Sequence, residues 1–239
     1  MFDLNKITFQ RTDISIPGHI ESFAKEFADH FIVRRSYVPQ FCKLIQTSKF
    51  WNPANLEGKL SAWVRNFSRT PGRTKIIDII TRSFKSCQDK AEIDHLRGAM
   101  VEALVIGFNG GTRLLAQPNY GWGARVDINL DHSTIEVRYI CTEAKDDKCH
   151  RRSTVDFGSW DGRHGKFYEC KAHPFGIGCK EVRYMEKLKS ELIINGISHE
   201  IFFVCAESTE SIQMKLDEFD LGPLYKAYGM EEIQQMMPA

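Results

Sequence analysis

At Asn109-Gly110-Gly111 the hydrophobic period of the chain changes, and no other feature limits the fold as strongly. Up to Phe108 apolar residues recur every three or four positions, whereas beyond Gly111 they alternate with polar ones. A period of 3.6 builds helices and a period of 2 builds strands, so helices are expected first and a sheet after them. "HIESFAKEFADHFIVRR" sets Phe23, Phe27 and Phe31 along one helix face. "NPANLEGKLSAWVRNF" and "TKIIDIITRSFKSC", the latter after the breaker Pro71-Gly72, are two further helices, and a fourth runs from Ala91 to Phe108.

Past the breaker, "RLLAQP", "GARVDINL" and "TIEVRYIC" have strand character, with Asp131-His132-Ser133 as the hairpin turn between the last two. "TEAKDDKCHRR" is expected as a solvated, charged loop. "STVDFGSWDGRHGKFYECKAHP" supplies two more strands, "KEVRYMEKLKSELIING" a helix ending at Gly196, "EIFFVCAE" a strand, and "STESIQMKLDEF" a helix capped by Ser208 or Thr209. The expectation is an α/β (α+β) chain, with a helical region over 1–90 and a sheet-and-helix core over 91–239. A length of 239 residues suffices for a substantial buried core.

The hairpin of residues 153–174 concentrates charge in a stretch that otherwise alternates. Side chains alternate faces along a strand, so Glu169 and Lys171 share a face with Phe167 and His173, while Tyr168, Cys170 and Ala172 take the other. A loop with an even number of residues, Gly162-Arg163 or Asp161 to His164, sets Asp156 opposite or diagonal to Glu169. Like charges facing each other weaken a hairpin, so a compensating cation is needed. Mg²⁺ suits the position: it takes oxygen ligands and needs only one or two carboxylates besides water and substrate phosphate. Lys171 could then hold an attacking water or stabilise charge on a phosphate. The helix "RGAMVEALVIGF" adds Glu102, the only ionisable residue from Gly98 to Phe108, and an acid in such surroundings is costly unless paired or metal-bound.

The order Glu102 on a helix, Val155-Asp156-Phe157 on a strand, then Glu169-Cys170-Lys171 on the next strand before a helix resembles the PD-(D/E)XK nuclease superfamily, over about residues 91–207. The resemblance implies a restriction-endonuclease-like mixed sheet flanked by helices, and Mg²⁺-dependent cleavage of phosphodiester bonds, with Mn²⁺ expected to substitute. Asp156, Glu169 and Glu102 would be metal ligands, and Lys171 would act on water or phosphate. The proline of the motif is replaced by Val155. DNA is favoured over RNA on this resemblance alone, and a role in bacterial defence or restriction is the expected setting. A catalytically silent member serving as a nucleic-acid-binding or interaction subunit is the alternative.

Other residues compete for attention. Asp127 in "GARVDINLD" is the rival metal ligand. Lys180, Arg183 and Lys187 form a row along the helix after the motif that could meet phosphates; His173, on the face of Glu169 and Lys171, could touch substrate or be an ordinary strand histidine, and Trp160 could cover the hairpin or stack on a base. Cys170 and His173 alternate to opposite faces, which argues against a thiol nucleophile. A zinc site from Cys141, Cys149, His150 and Cys179 would mix unusual spacings with no Cys-x-x-Cys. Seven scattered cysteines, no apolar run of membrane length and no secretory layout in "MFDLNKITFQRTDIS" lead to the expectation of a cytoplasmic chain with free thiols and no membrane partner. A net charge of +1 gives no bulk attraction to polyanions, so local patches, a homodimer, or a partner ATPase, helicase or sensor subunit would have to supply it.

Overall fold

The computed structural model describes residues 3–13, 15–33, 36–68, 72–141 and 151–236. Among them are eight α-helices and a mixed sheet of seven strands, so the class is α/β. The helices before the period change are α1 (Gly18–His30), α2 (Val38–Thr47), α3 (Leu56–Phe67), α4 (Thr74–Ser86) and α5 (Lys90–Asn109). Asp89 caps α5 by accepting the Glu92 N–H at 2.8 Å. Gly110 and Gly111, at φ of 124° and 83°, end it in a conformation that other residues resist. The breaker read in the sequence therefore acts through backbone geometry.

The sheet strands are β1 (Ile7–Arg11), β2 (Tyr120–Leu130), β3 (Ser133–Glu136), β6 (Val155–Trp160), β7 (His164–Lys171), β8 (Ser198–Cys205) and β9 (Lys226–Tyr228). Their order is β1-β2-β6-β7-β8-β9, with β3 also on β2; β7, β8 and β9 run parallel and the other pairs antiparallel. A separate ribbon joins β4 (Tyr139–Ile140) to β5 (Arg151–Arg152). Helix α6 (Cys179–Ile194) makes the right-sized crossover between β7 and β8, and α7 (Thr209–Asp217) that between β8 and β9. The short α8 (Met230–Met236) closes the described chain.

Each face of the sheet has its own core. Phe157, Tyr168, Phe202 and Val204 pack with the apolar residues of α1 to α5, while Phe167, Phe203 and Cys205 pack with Tyr184, Met185 and Leu188 of α6 and Ile212 of α7. The helices of residues 1–90 thus share one continuous core with α5 and the sheet, and β1 is itself a sheet strand. That strand escapes the sequence pattern because "ITFQR" is short and buries only Ile7 fully. Helix α1 lies so close to α5 that a Cβ on Gly107 would sit 2.9 Å from the Ala28 carbonyl oxygen.

Two strand expectations fail locally. "RLLAQP" forms a 3₁₀ turn over Thr112–Ala116. Leu114 and Leu115 are both half-buried, so the residues do not alternate, and Asp29 caps the turn by accepting the Thr112 N–H at 2.8 Å. "TIEVRYIC" is broken: it leaves β2 after Glu136, and Tyr139-Ile140 pairs with Arg151-Arg152 instead. Of the charged loop, 142–150 lie outside the described residues, as do Pro71, Cys149 and His150. Arg152 at its end is largely buried, not solvated as expected.

Phe9 of β1 crosses β2 and lies over the paired Gly121 and Gly158, where any Cβ would overlap its ring. Gly158→Ala is therefore expected to destabilise the chain by about 1–3 kcal/mol through overpacking. In a Phe9→Ala background the same change should cost much less, a coupling that urea denaturation of the four proteins measures directly.

Candidate active site

The loop from Asp161 to His164 joins β6 to β7, and Trp160 pairs with Gly165. The even loop continues this register so that Asp156 stands opposite Glu169. Where the ladder would go on, the Asp156 carboxylate instead accepts the Cys170 backbone N–H at 2.7 Å. Both acids face α6 and are buried. They converge on one nitrogen: Arg152 Nη2 donates to Asp156 Oδ1 at 2.9 Å and to Glu169 Oε2 at 2.6 Å. The other Glu169 oxygen accepts from Lys171 Nζ at 2.5 Å, and Lys171 stands 4.0 Å from Asp156 Oδ2.

A third acid borders this cluster. Glu181, in the first turn of α6, accepts the Gly178 N–H at 3.1 Å and lies 3.5 Å from Lys171 Nζ and 3.6 Å from Arg152 Nη1. Three buried carboxylates thus surround two cations. Glu102 approaches from α5, where Trp122 Nε1 of β2 donates to its Oε2 at 2.5 Å. Trp122 in turn is stacked under the Arg11 guanidinium, 4.4 Å from the ring centroid.

The charges of these groups follow from their surroundings. Burial raises the Glu102 carboxyl to about 8, helped by the Asp156 charge and opposed by the Trp122 hydrogen bond and Lys171. Burial also lifts Glu169 to about 7, against the pull of Arg152. For Asp156 the desolvation is outweighed by Lys171, Arg152 and the Cys170 N–H, which hold it below the usual carboxylate range. Burial alone would discharge Lys171, but Glu169 and Asp156 overcome that and keep it an ammonium group. The Tyr184 hydroxyl of α6, buried within electrostatic reach of Arg152, Glu169 and Asp156, has no hydrogen-bond partner among the described residues.

Of the residues singled out in the sequence, Asp156, Glu169 and Lys171 are brought into contact, and Glu102 lies close enough for its charge to oppose that of Asp156. The others go elsewhere. Asp127 is held by Arg125 at 2.7 Å. Arg183 and Lys187 lie on the exposed face of α6, paired with Glu186 and Glu191, and Lys180 is 3.9 Å from Glu181. His173 turns away to Glu207, at 3.7 Å, and burial lowers its pKa. Trp160 covers the hairpin, donating to the Asp3 carbonyl at 2.7 Å. Cys170 is buried on the opposite face, where desolvation raises the thiol pKa. Among the described residues, Cys42, Cys87, Cys170, Cys179 and Cys205 are free thiols.

Arg152 and Glu181 were missed. Glu181 was findable: with Met185, Leu188 and Leu192 it follows the buried stripe of α6, an odd place for an acid. Arg152 sits in a two-residue strand with no periodicity to betray it.

Comparison with known protein families, curated proteins and solved structures finds no match for this chain. No described helix is long and apolar enough to cross a membrane.

The raised Glu102 predicts a pH-dependent stability. A carboxyl whose folded pKa exceeds its unfolded value favours folding at low pH and loses that contribution as pH rises towards 8. Glu102→Gln removes the ionisation. Its metal-free melting temperature should exceed that of the wild type at pH 8 and match it near pH 5, as read by calorimetry.

Proposed function

We propose that the chain is a metal-dependent nuclease of the PD-(D/E)XK type, with a restriction-endonuclease-like core, that hydrolyses phosphodiester bonds of DNA. One observation carries the reading: Asp156 and Glu169 converge on a single cationic nitrogen, with the Lys171 ammonium on the far oxygen of Glu169.

Among the described residues no three His, Cys, Asp or Glu side chains converge closely enough to cage an ion. Mg²⁺ does not need a cage, since one or two carboxylates with water and phosphate oxygens suffice, and two hard oxygen donors already share one cation here. Asp156 and Glu169 would hold Mg²⁺, with Mn²⁺ as substitute and Glu102 nearby. Bound there, the ion would lower the pKa of a water and draw charge from the phosphate.

The chain's own groups do the rest. Lys171 stays protonated between Glu169 and Asp156, so it serves as a donor to phosphate oxygens or as an anchor for water, not as a free base. Glu102, with a pKa raised to about 8, holds a proton that it can exchange near neutrality, and Trp122 fixes its orientation. Arg152 neutralises the two acids until another cation competes for them.

Arg152 also favours a second reading. A guanidinium fixed between the two acids would suit a silent subunit of the same fold that binds nucleic acid or a partner ATPase, helicase or sensor without cutting.

Two measurements separate the readings. Purified chain with Mg²⁺ should cleave plasmid DNA, and Asp156→Ala and Lys171→Ala should each lower the rate by at least about a hundredfold. Cleavage that survives both substitutions would refute the site, and an inert wild type would favour the silent reading.

The second readout is independent of cleavage. Arg152→Met leaves Asp156 and Glu169 buried without their shared partner, which should cost about 3–5 kcal/mol in urea denaturation with chelator present. If the acids bind a metal, Mn²⁺ should restore part of that loss. No restoration would mean that these carboxylates do not bind the ion.

A further inference from the structure

Beyond the carboxylates, the same edge of the sheet carries a groove with a different character. β6 runs antiparallel to β7, and β7 parallel to β8, so the start of β6 and the ends of β7 and β8 lie on one edge. Asp156 and Lys171 are there, and two residues past each strand end stand His173 and Glu207. Helix α2 is tied to this edge: Gln46 Nε2 donates to the Ala206 carbonyl at 2.5 Å.

Between α2, the start of α3 and His173 lies a cleft of about 580 Å³, lined by Lys43, Lys49, Lys59 and Phe50. It shares His173 and Glu207 with a smaller cleft, about 280 Å³, beneath Phe175. Two observations mark it as a binding surface. Phe50, 74 % exposed with the Lys49 ammonium 5.8 Å over its ring, and Phe175, 78 % exposed, stand on two clefts that share His173. Among the described residues, no carboxylate forms an ion pair with Lys43, Lys49 or Lys59, whereas Arg183 and Lys187 of α6 are each neutralised by a glutamate on their own helix.

The groove is coupled mechanically to the carboxylate site. His173 Nδ1 accepts the Phe175 N–H at 3.2 Å, which fixes the turn that presents the ring. Gly176 in that turn packs on the Lys171 stem, so closely that a Cβ there would be 3.2 Å from Lys171 Cδ. A chain of atoms therefore leads from the Lys171 ammonium, through the turn, to the aromatic rim.

Lysines follow a phosphate backbone, and exposed rings stack on bases whatever their sequence. A duplex hides the faces of its bases, so rings of this kind are useful to an unpaired strand. We propose that this groove binds a single strand of DNA, its phosphates against Lys43, Lys49 and Lys59 and its bases on Phe50 and Phe175, leading to or from Lys171. The proposal deepens the nuclease reading and rests on it only for what then happens to the strand.

The test is fluorescence anisotropy of a labelled oligodeoxythymidylate with the full chain in EDTA, so that nothing is cut. Charge reversal of three residues together (Lys43→Glu, Lys49→Glu, Lys59→Glu) should raise Kd at least about tenfold. It should also flatten the plot of log K against log salt by about 2, roughly 0.7 for each lost phosphate contact. Phe50→Ala with Phe175→Ala should weaken the single strand about five-fold or more while leaving weak duplex binding unchanged. Lys75→Glu, on the exposed face of α4, serves as the surface control and should bind as wild type.

A wild type that binds no strand overturns the proposal, as does a triple variant with unaltered Kd and salt slope, or an aromatic variant that loses duplex and single strand equally. The two readings fail separately. Plasmid cleavage with groove-independent binding sinks the groove alone; groove-dependent binding without cleavage under Mg²⁺ or Mn²⁺ sinks the nuclease and leaves the groove.

Discussion

Three carboxylates and two cations buried against α6 set the terms for the rest of the structure. Asp156, Glu169 and Glu181 bring three negative charges, while Arg152 and Lys171 bring two positive ones. Removing such groups from water costs several kcal/mol per ion, and mutual attraction at best offsets that, so apolar residues of similar size would stabilise the fold at least as well. The cluster is thus a poor device for stability. Burial above all lifts the Glu169 carboxyl to about 7, with the charges of Asp156 and Glu181 adding to it against the pull of Arg152 and Lys171. With all three acids ionised, the cluster carries one more negative charge than its two cations balance.

The surrounding fold is built to hold that imbalance still. The β6–β7 hairpin fixes Asp156 and Glu169 through the loop register, and Asp156 spends one oxygen on the ladder N–H of Cys170, which removes its freedom to swing away. Phe9 and Trp160 fasten the N-terminal segment across the same hairpin. On the opposite face, α5 is apolar nearly all round and packs between the sheet and α1, with Gly107 letting the two helices close up. Glu102 is delivered to the site by a helix that cannot rotate without exposing a hydrophobic face, and Trp122 limits the last torsions of its side chain.

How much of this could be read in the sequence depends on whether a signal was local. The even loop from Asp161 to His164 is local, and its length alone sets Asp156 opposite Glu169. Glu102 announced itself as a lone acid in an apolar helix, and Glu181 would have done so had the α6 stripe been followed to its first turn. Arg152 carries no such mark. It follows a charged stretch that reads as solvated, and only the tertiary arrangement of acids from three elements draws it inward. The strand misread at "RLLAQP" has the same origin, since Asp29, far away in sequence, supplies the cap that turns the chain helical.

The overall charge of +1 says little about attraction to a polyanion, because cations on this surface differ in how far they are already spent. Arg183 and Lys187 on α6 are matched by acids one helical turn away, and such pairs present almost no net field at physiological salt. Lys43, Lys49 and Lys59 have no such partners among the described residues, and their field persists at the edge where the central strands end. On the proposed reading a polyanion would meet these lysines beside His173, whose turn packs on the Lys171 stem. Binding and chemistry would then occupy one end of one sheet, and the core that the N-terminal helices share with it would hold the strand in register with Lys171.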